Sequence, residues 1–164
     1  MIHTMKRGKQ IVSNLMTNMM TAALVAGVTV ACSNAYKTDA AEIKCLADNI
    51  YFEALTESTA GQVAVGNVTM NRVTHSAFPD TVCDVVWERK QFSWTHDGKS
   101  DTPSSKSAYD EVYEIAKAVY NGNVMDITEG ATFYHADYVN PSWNKDMKRV
   151  AKIDTHIFYT HKGR

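Results

Sequence analysis

The sequence predicts one α+β domain over residues 40–164, which is helix-rich and has a small β region. Apolar residues recur at helical spacing in two segments, 43–54 and 107–120, and this pattern indicates amphipathic helices. Short runs rich in aromatic and β-branched residues follow after residue 130 and favour strands. A chain of 164 residues provides one domain with a single hydrophobic core.

The charge balance excludes some classes of partner. The formal net charge is −1 at pH 7, so the chain has no general attraction to nucleic acid or to anionic lipid. Internal repeats and heptads are also absent from the sequence. We therefore expect no nucleic-acid partner, and membrane contact only through the N-terminal segment.

Residues 1–35 have the layout of a secretory signal peptide. A positive region formed by Lys6, Arg7 and Lys9 precedes an apolar stretch over residues 19–31, which is too short for a comfortable membrane span. Small residues mark three candidate cleavage positions: Ala31, Ser33 and Ala35. We therefore expect export to the periplasm, the cell wall or the medium.

Other interpretations of this segment stay open. It could remain attached as a signal anchor that holds the protein on the membrane before release. It could also form a buried N-terminal helix, or Cys32 could be lipidated, although the residues before Cys32 form a poor lipidation motif.

Two cysteines, Cys45 and Cys83, remain in the mature part of the chain. In an oxidising compartment they could form a disulfide, which would stabilise the fold by about 2–4 kcal/mol. Two free buried thiols are the alternative.

Two glutamates stand where the first predicted helix meets a polar break. The apolar stripe of residues 43–54 predicts this helix, with Glu53 near the edge of the stripe. Glu57 would lie closer to its centre if the helix continued. A carboxyl group at the rim of an apolar face has a raised pKa, as a general acid at neutral pH requires. The simpler alternative is that both carboxylates are solvated at a helix end.

A second helix is predicted over residues 60–73. Thr59 and Gln62 fit a capping box, so we expect Thr59 to cap this helix. The run VAVGNV within it would also fit a strand, but the cap and the length favour a helix. Gly61 weakens a helix and therefore indicates close approach of another backbone or of a ligand.

The later elements are shorter. Residues 81–87 are β-branched and apolar and fit either a strand or a helical turn, and residues 91–100 form a polar, aromatic loop. Apolar residues at helical spacing predict a helix over 107–120, which Asn121 and Gly122 end. Short strands and loops of the β region are predicted over 131–136, 138–143 and 150–159.

Residues 45–73 are similar to the opening motif of the cell-wall hydrolase family that includes the spore-cortex-lytic enzymes. The family pattern is a Cys-Leu-Ala start, Tyr-x-Glu-Ala-x-x-Glu, Gly-Gln-x-Ala-Val and Asn-Arg-Val. Further matches follow in order: FPDTVCDVVW at 78–87, QFSW at 91–94, ATFYHA at 131–136, NPSW at 140–143 and IDTHIFY at 153–159. The resemblance covers nearly all of residues 41–160 and implies a lysozyme-like groove.

The resemblance also implies cleavage of peptidoglycan glycan strands between N-acetylmuramic acid and N-acetylglucosamine. It places the catalytic acid at Glu53, the glutamate of Tyr-x-Glu-Ala. In a lytic transglycosylase route, Glu53 protonates the glycosidic oxygen and then takes a proton from the muramic C6 hydroxyl, which closes a 1,6-anhydro ring. Glu57 is the rival, either as the acid or as a second carboxylate.

Sugar binding needs aromatic platforms and hydrogen-bonding partners along a groove. We expect Trp94 to be the first platform, because its neighbours are polar and its segment lacks apolar periodicity. Gln91 and Ser93 are predicted hydrogen-bonding partners. The other predicted substrate-binding residues are Tyr134, His135 and Trp143. Core packing is the alternative for each aromatic side chain, above all for Tyr134.

Two other functions stay open. His135 and His156, together with Asp137 or Asp154, could form the zinc site of an amidase or peptidase, although the sequence has no HExxH motif. The same cleft could also bind peptidoglycan without cutting it. For the glycan-cleaving function we expect no cofactor, no metal and a monomer.

Two departures from the family pattern bear on activity. Leu55 and Thr56 stand where the family usually has Arg-Gly between the two glutamates, and the lost positive charge favours altered activity or a pure binding module. Lys90 and His96 stand where close relatives often carry two cysteines. This chain therefore lacks that local disulfide, and we expect a less rigid loop.

Overall fold

Helices precede a three-stranded sheet along the chain. The computed structural model describes residues 39–162, so the predicted signal peptide lies outside the described residues. Helix α1 is described over residues 39–54, and α2 (Thr59–Val73), α3 (Val82–Trp87) and α4 (Lys106–Tyr120) follow. Two 3₁₀ helices cover Ser93–His96 and Ser142–Asp146, and the strands are β1 (Phe133–Ala136), β2 (Met147–Ile153) and β3 (His156–His161). The helix-rich α+β prediction is confirmed.

Within residues 39–162, no helix has both the length and the apolar character needed to cross a membrane.

Helix α2 is buried on more than one side. All residues from Ala64 to Thr69 are buried. Val65 belongs to the larger core cluster with residues of α1, α3 and α4, whereas Ala64 and Val68 pack with Phe158 of β3. A helix that is buried on several sides loses the one-sided apolar stripe. This explains why its sequence also fitted a strand.

The cap of α2 lies one residue earlier than predicted. Ser58, not Thr59, is the N-cap, and its Oγ accepts a hydrogen bond from the Gly61 N–H. Gln62 donates from Nε2 to the Leu55 carbonyl oxygen, so the expected capping box does not form. The Ser58 hydroxyl also donates to Asp154 at 2.5 Å, and this long-range bond leaves no signal in the local sequence.

The sheet has the order β1-β3-β2, and both pairings are antiparallel. Tyr134 pairs with Phe158, and His135 pairs with Ile157. Because side chains alternate between the two faces of a strand, Tyr134 lies on the inner face with the buried Phe158, and His135 lies on the outer face. The alternation therefore separates these two predicted site residues.

Residues 81–87, which fitted a strand or a helical turn, contain the short helix α3. The Thr81 hydroxyl caps it by accepting a hydrogen bond from the Asp84 N–H. Cys83 of α3 forms a disulfide with Cys45 of α1 across 38 residues. A cross-link of this kind stabilises a domain by about 2–4 kcal/mol, and here it holds α3 against the helix that carries Glu53.

Candidate active site

Two cavities meet at Glu53, in the last turn of α1. The first, which we call the Arg72 cavity, has a volume of about 290 Å³ and is lined by Glu53, Arg72, Lys90, Gln91, Phe92, Ser93, His96 and Tyr134. The second, the Asp97 cavity, has about 280 Å³ and is lined by Phe52, Glu53, Ser93, Trp94, Asp97, Lys99, Ser100 and Asp101. Glu53 and Ser93 line both cavities, so together the cavities form a groove that passes the Glu53 carboxyl group.

The Glu53 carboxyl group is held by Tyr134. The Tyr134 hydroxyl donates a hydrogen bond to Glu53 Oε2 at 2.9 Å. Burial raises the pKa of Glu53, while the Tyr134 hydrogen bond and the Arg72 charge partly offset that increase. A raised pKa keeps a larger fraction of the carboxyl group protonated at neutral pH. Glu53 therefore has the property of a general acid, with one oxygen fixed.

Tyr134 is itself held in place by its packing in the sheet. It lies on the inner face of β1, and its ring packs edge-on against His156 at 5.1 Å between centroids. Burial and the neighbouring Glu53 charge raise the pKa of Tyr134 well above its ordinary value, so the hydroxyl stays a donor. The structure therefore assigns Tyr134 a contact with the acid, where we had expected a sugar platform or core packing.

Arg72 supplies a buried cation beside the acid. It is only 5% exposed, and its Nε donates to the Thr132 carbonyl oxygen at 2.8 Å. Its guanidinium group lies 5.2 Å from the ring centroid of Phe92 and 5.3 Å from that of Phe78. Burial lowers the pKa of Arg72, but arginine remains charged at any physiological pH. Sequence analysis missed this residue, although the Asn-Arg-Val motif contains it.

Glu57 has a different environment, because helix α1 ends before it. The Thr155 hydroxyl donates to Glu57 Oε1 at 2.5 Å, and the Thr155 N–H donates to Oε2 at 3.1 Å. The Glu57 side chain is 9% exposed and lines neither cavity. Glu57 therefore anchors the β2–β3 turn, and the geometry disfavours it as the acid.

Gly61 is required at the same corner of the fold. Asp154, in the β2–β3 turn, accepts hydrogen bonds from the Ser58 N–H at 2.9 Å and from the Ser58 hydroxyl. A Cβ atom on Gly61 would lie 2.5 Å from Asp154 Oδ2 and 2.7 Å from the Glu57 Cβ. The close approach predicted for Gly61 is present, but side chains make it, not a backbone or a ligand.

Trp94, the residue that we expected to be the first sugar platform, is mostly buried. Trp94 is 7% exposed, its Nε1 donates to Asn49 Oδ1 at 3.1 Å, and its ring stacks on Phe52. The polar neighbours that suggested exposure belong to a surface 3₁₀ helix whose tryptophan side chain turns inwards. Trp94 still contributes to one wall of the Asp97 cavity.

Gln91 and Ser93 lie where the sequence analysis expected them. Both line the Arg72 cavity, and Ser93 also lines the Asp97 cavity. Amide and hydroxyl groups beside an acid suit hydrogen bonding to sugar hydroxyl and acetamido groups. Their part in substrate binding stays a prediction.

His135 and Trp143, which were also predicted to bind substrate, lie away from the two cavities at Glu53, and their part in substrate binding stays a prediction. Neither residue lines either cavity. On the outer face of the sheet, His135 Nε2 lies 3.0 Å from the Tyr159 hydroxyl, and Trp143 packs on both rings. Strand alternation separates His135 from Tyr134, whereas Trp143 belongs to the 3₁₀ helix Ser142–Asp146.

The zinc interpretation finds no ligand set in the described part of the chain. His156 pairs with Ala136, so it lies on the inner face, whereas His135 lies on the outer face. The two imidazoles therefore cannot converge on one ion. Among residues 39–162, no group of three or more His, Cys, Asp or Glu side chains is placed to hold a metal ion.

Comparisons with known proteins agree with this fold. The model of the cell wall hydrolase family matches residues 56–159, a range that begins just after Glu53. The spore cortex-lytic enzyme of Bacillus cereus (strain ATCC 14579) is 32% identical over 118 residues, covering 71% of this chain and 43% of that enzyme. The spore cortex-lytic enzyme of Bacillus subtilis (strain 168) is 30% identical over 118 residues, covering 71% of this chain and 37% of that enzyme. The chain thus spans less than half the length of these two relatives.

Two solved structures are also similar to this chain. The catalytic domain of the germination-specific lytic transglycosylase SleB from Bacillus anthracis aligns with a TM-score of 0.59 and 32% identity, covering 73% of this chain and 93% of that chain. The catalytic domain of the Bacillus cereus SleB protein aligns with a TM-score of 0.59 and 31% identity, covering 73% of this chain and 89% of that chain. These alignments extend over nearly all of each catalytic domain.

Proposed function

The chain belongs to the cell wall hydrolase family, and from this premise we propose that it cleaves peptidoglycan glycan strands as a lytic transglycosylase. The observation that carries the proposal is the Glu53 carboxyl group, which has a raised pKa and lies where two cavities meet. The similar catalytic domain from Bacillus anthracis is described as a lytic transglycosylase. The bond that it cleaves joins N-acetylmuramic acid to N-acetylglucosamine.

The proposed reaction uses Glu53 twice. Tyr134 holds Oε2, so the reacting proton is on Oε1 and passes to the glycosidic oxygen as the C1–O bond breaks. The transition state resembles an oxocarbenium ion. The Glu53 carboxylate then takes the proton of the muramic C6 hydroxyl, and O6 bonds to C1. The product is a 1,6-anhydro ring, and Glu53 is protonated again.

Tyr134 and Arg72 support the middle of this cycle. Between the two proton transfers Glu53 carries a negative charge in a largely buried place, which is unfavourable by itself. The Tyr134 hydrogen bond and the Arg72 charge both lower the pKa of Glu53, which means that they stabilise the carboxylate form. They thereby limit the increase that burial causes in the pKa of Glu53, so the acid can still give up its proton.

Hydrolysis is the second candidate, and one observation favours it. Asp97 and Asp101 line the Asp97 cavity together with Glu53. The Lys99 N–H donates to Asp97 at 2.9 Å and holds the pKa of Asp97 below its ordinary value. An ionised carboxylate near a protonated one is the pair with which most glycoside hydrolases activate water or form a glycosyl intermediate.

Mass spectrometry of fragments released from purified peptidoglycan tests both candidates. Wild type should release fragments with anhydro-muramic ends, Glu53→Gln should not, and the exposed control variant Glu111→Gln should match wild type. Reducing muramic ends would replace the transglycosylase proposal with hydrolysis. Freed stem peptides with intact glycan would contradict both candidates, and binding without any release would identify a binding module.

We also propose that the protein is exported and acts as a monomer. Residues 1–35 have the signal-peptide layout, and the Cys45–Cys83 disulfide is of a kind that persists in oxidising compartments. Fractionation of expressing cells, N-terminal sequencing of the recovered protein and light scattering test these points. A cytoplasmic product that still carries the apolar stretch over residues 19–31 would contradict export.

A further inference from the structure

The two cavities on either side of Glu53 differ in charge. Apart from Glu53, the charged side chains of the Arg72 cavity are the cations Arg72 and Lys90, with the His96 imidazole beside them. The Asp97 cavity has two carboxylates, Asp97 and Asp101, and one cation, Lys99. A groove with cations on one side of its acid and an excess of carboxylates on the other distinguishes the two ends of a bound strand.

The fold positions both cations of the Arg72 cavity. Arg72 is 5% exposed, and its buried Nη1 has no hydrogen-bond partner among the described residues, so the fold holds an incompletely paired cation in the wall of this cavity. Lys90 has a φ of 69°, which L-residues rarely adopt. The Gln91 N–H donates to the Glu88 carbonyl oxygen at 3.1 Å and closes the turn that presents Lys90 to this cavity.

The two sugars of peptidoglycan differ in charge in a corresponding way. N-acetylglucosamine is neutral. Muramic acid carries a lactyl group, whose carboxylate is free when the peptide is absent; when the peptide is present, the stem brings its own carboxylates. In both cases the anionic group belongs to the muramic acid, and Arg and Lys are the side chains that attract carboxylates.

We propose that the Arg72 cavity binds the muramic acid whose C1–O bond breaks, through a carboxylate that Arg72 and Lys90 attract, and that the Asp97 cavity receives the neutral N-acetylglucosamine. This inference rests on the proposed glycan substrate. It fixes the direction of the strand along the groove and makes Lys90 a determinant of specificity. Its ligand is a carboxylate, from the lactyl group or from the stem peptide.

Binding, measured without cleavage, tests the inference. In a Glu53→Gln background, the dissociation constant is measured for soluble strand fragments before and after their carboxylates are converted to neutral amides. Lys90→Gln should weaken binding of the unmodified fragments by about threefold at low salt. It should leave binding of the amidated fragments unchanged, and high salt should reduce the effect.

The controls separate this inference from its premise. Lys117→Gln, an exposed charge change on α4 that lines neither cavity, should bind like its parent, and Lys90→Arg should restore binding. Fragments with free lactyl groups and fragments with intact stems identify the source of the carboxylate. An equal loss for unmodified and amidated fragments, or no loss at all, would overturn the inference. The nature of the released ends tests the lytic function separately.

Discussion

Glu53 and Glu57 stand almost side by side in the sequence, and the fold places them in opposite environments. The Glu53 carboxyl group faces two cavities, accepts one hydrogen bond from Tyr134 and has a raised pKa. Both oxygens of Glu57 accept hydrogen bonds from Thr155, and its side chain reaches neither cavity.

The difference shows what distinguishes a carboxyl group that acts as a general acid from one that anchors a turn. A general acid needs an oxygen that is free to meet the substrate and an environment that favours its protonated form. An anchoring carboxylate needs the reverse, which is donors on both oxygens. Motif position favours Glu53 as the acid, and the hydrogen-bond partners separate the two roles independently of the motif.

The largest expected effect is on activity at Glu53. Because Glu53→Gln cannot transfer a proton, peptidoglycan lysis should fall about 10³-fold, measured as released muramic ends per unit time. Glu57→Gln should keep its rate within about threefold, since this side chain does not face the substrate. If Glu57→Gln were the inactive variant and Glu53→Gln the active one, the assignment would be reversed.

The next effect is on stability at Glu57. Glu57→Ala removes the acceptor of two hydrogen bonds from Thr155 and should lower the free energy of unfolding by about 1–3 kcal/mol, measured by denaturant titration. Glu111→Ala on the exposed side of α4 is the matched control. Lost lysis with unchanged stability would contradict the anchoring role.

Removal of the Tyr134 hydroxyl, which donates to Glu53, should lower the rate of lysis by less than substitution of Glu53 itself. Tyr134→Phe removes the hydrogen bond that stabilises the carboxylate, so the pKa of Glu53 should rise further and the rate should fall about tenfold. Because the acid then stays protonated to higher pH, the alkaline limb of the pH–rate profile should shift to higher pH. Tyr138→Phe, whose side chain is 83% exposed, is the control. An unchanged pH–rate profile would contradict the claim that this hydrogen bond lowers the pKa of Glu53.

The smallest expected effect concerns pH and stability. The pKa of Glu53 is raised in the folded state, so the folded protein binds the proton more tightly than the unfolded chain does. Stability is then lost as pH rises from the ordinary carboxyl range through the raised pKa. Glu53→Gln lacks this loss, so its stability relative to wild type should be greater at pH 7 than at pH 4, by on the order of 1 kcal/mol. An equal difference at both pH values would contradict the shift.

The sequence predicted those features that depend on near neighbours. Helices α1 and α4 follow from apolar spacing, α2 follows from its cap signal and its length, and Glu53 follows from a motif within one helix. Trp94 could not be placed in this way, because its orientation depends on Asn49 in another element. Arg72 was overlooked because a lone arginine in a helix is expected to be solvated, whereas aromatic rings from several segments enclose this one.

Strand alternation explains the remaining difference. Tyr134, His135 and Trp143 were assigned to the same groove on residue type alone. Neighbouring residues of one strand face opposite sides of the sheet, so only one of Tyr134 and His135 could meet Glu53. The choice depends on the register of β1 on β3, which the local pattern does not encode.

The bond between Tyr134 and Glu53 also bears on when the chain becomes active. It joins residues 81 positions apart, and the bonds from Thr155 to Glu57 span 98 positions. Contacts between such distant segments require large loops to close and form slowly compared with local helices. A chain that has folded its helices but not yet docked the strands lacks the donor that holds Glu53. Under the proposed function, full lytic activity is therefore reached only once the strands have docked on the helices.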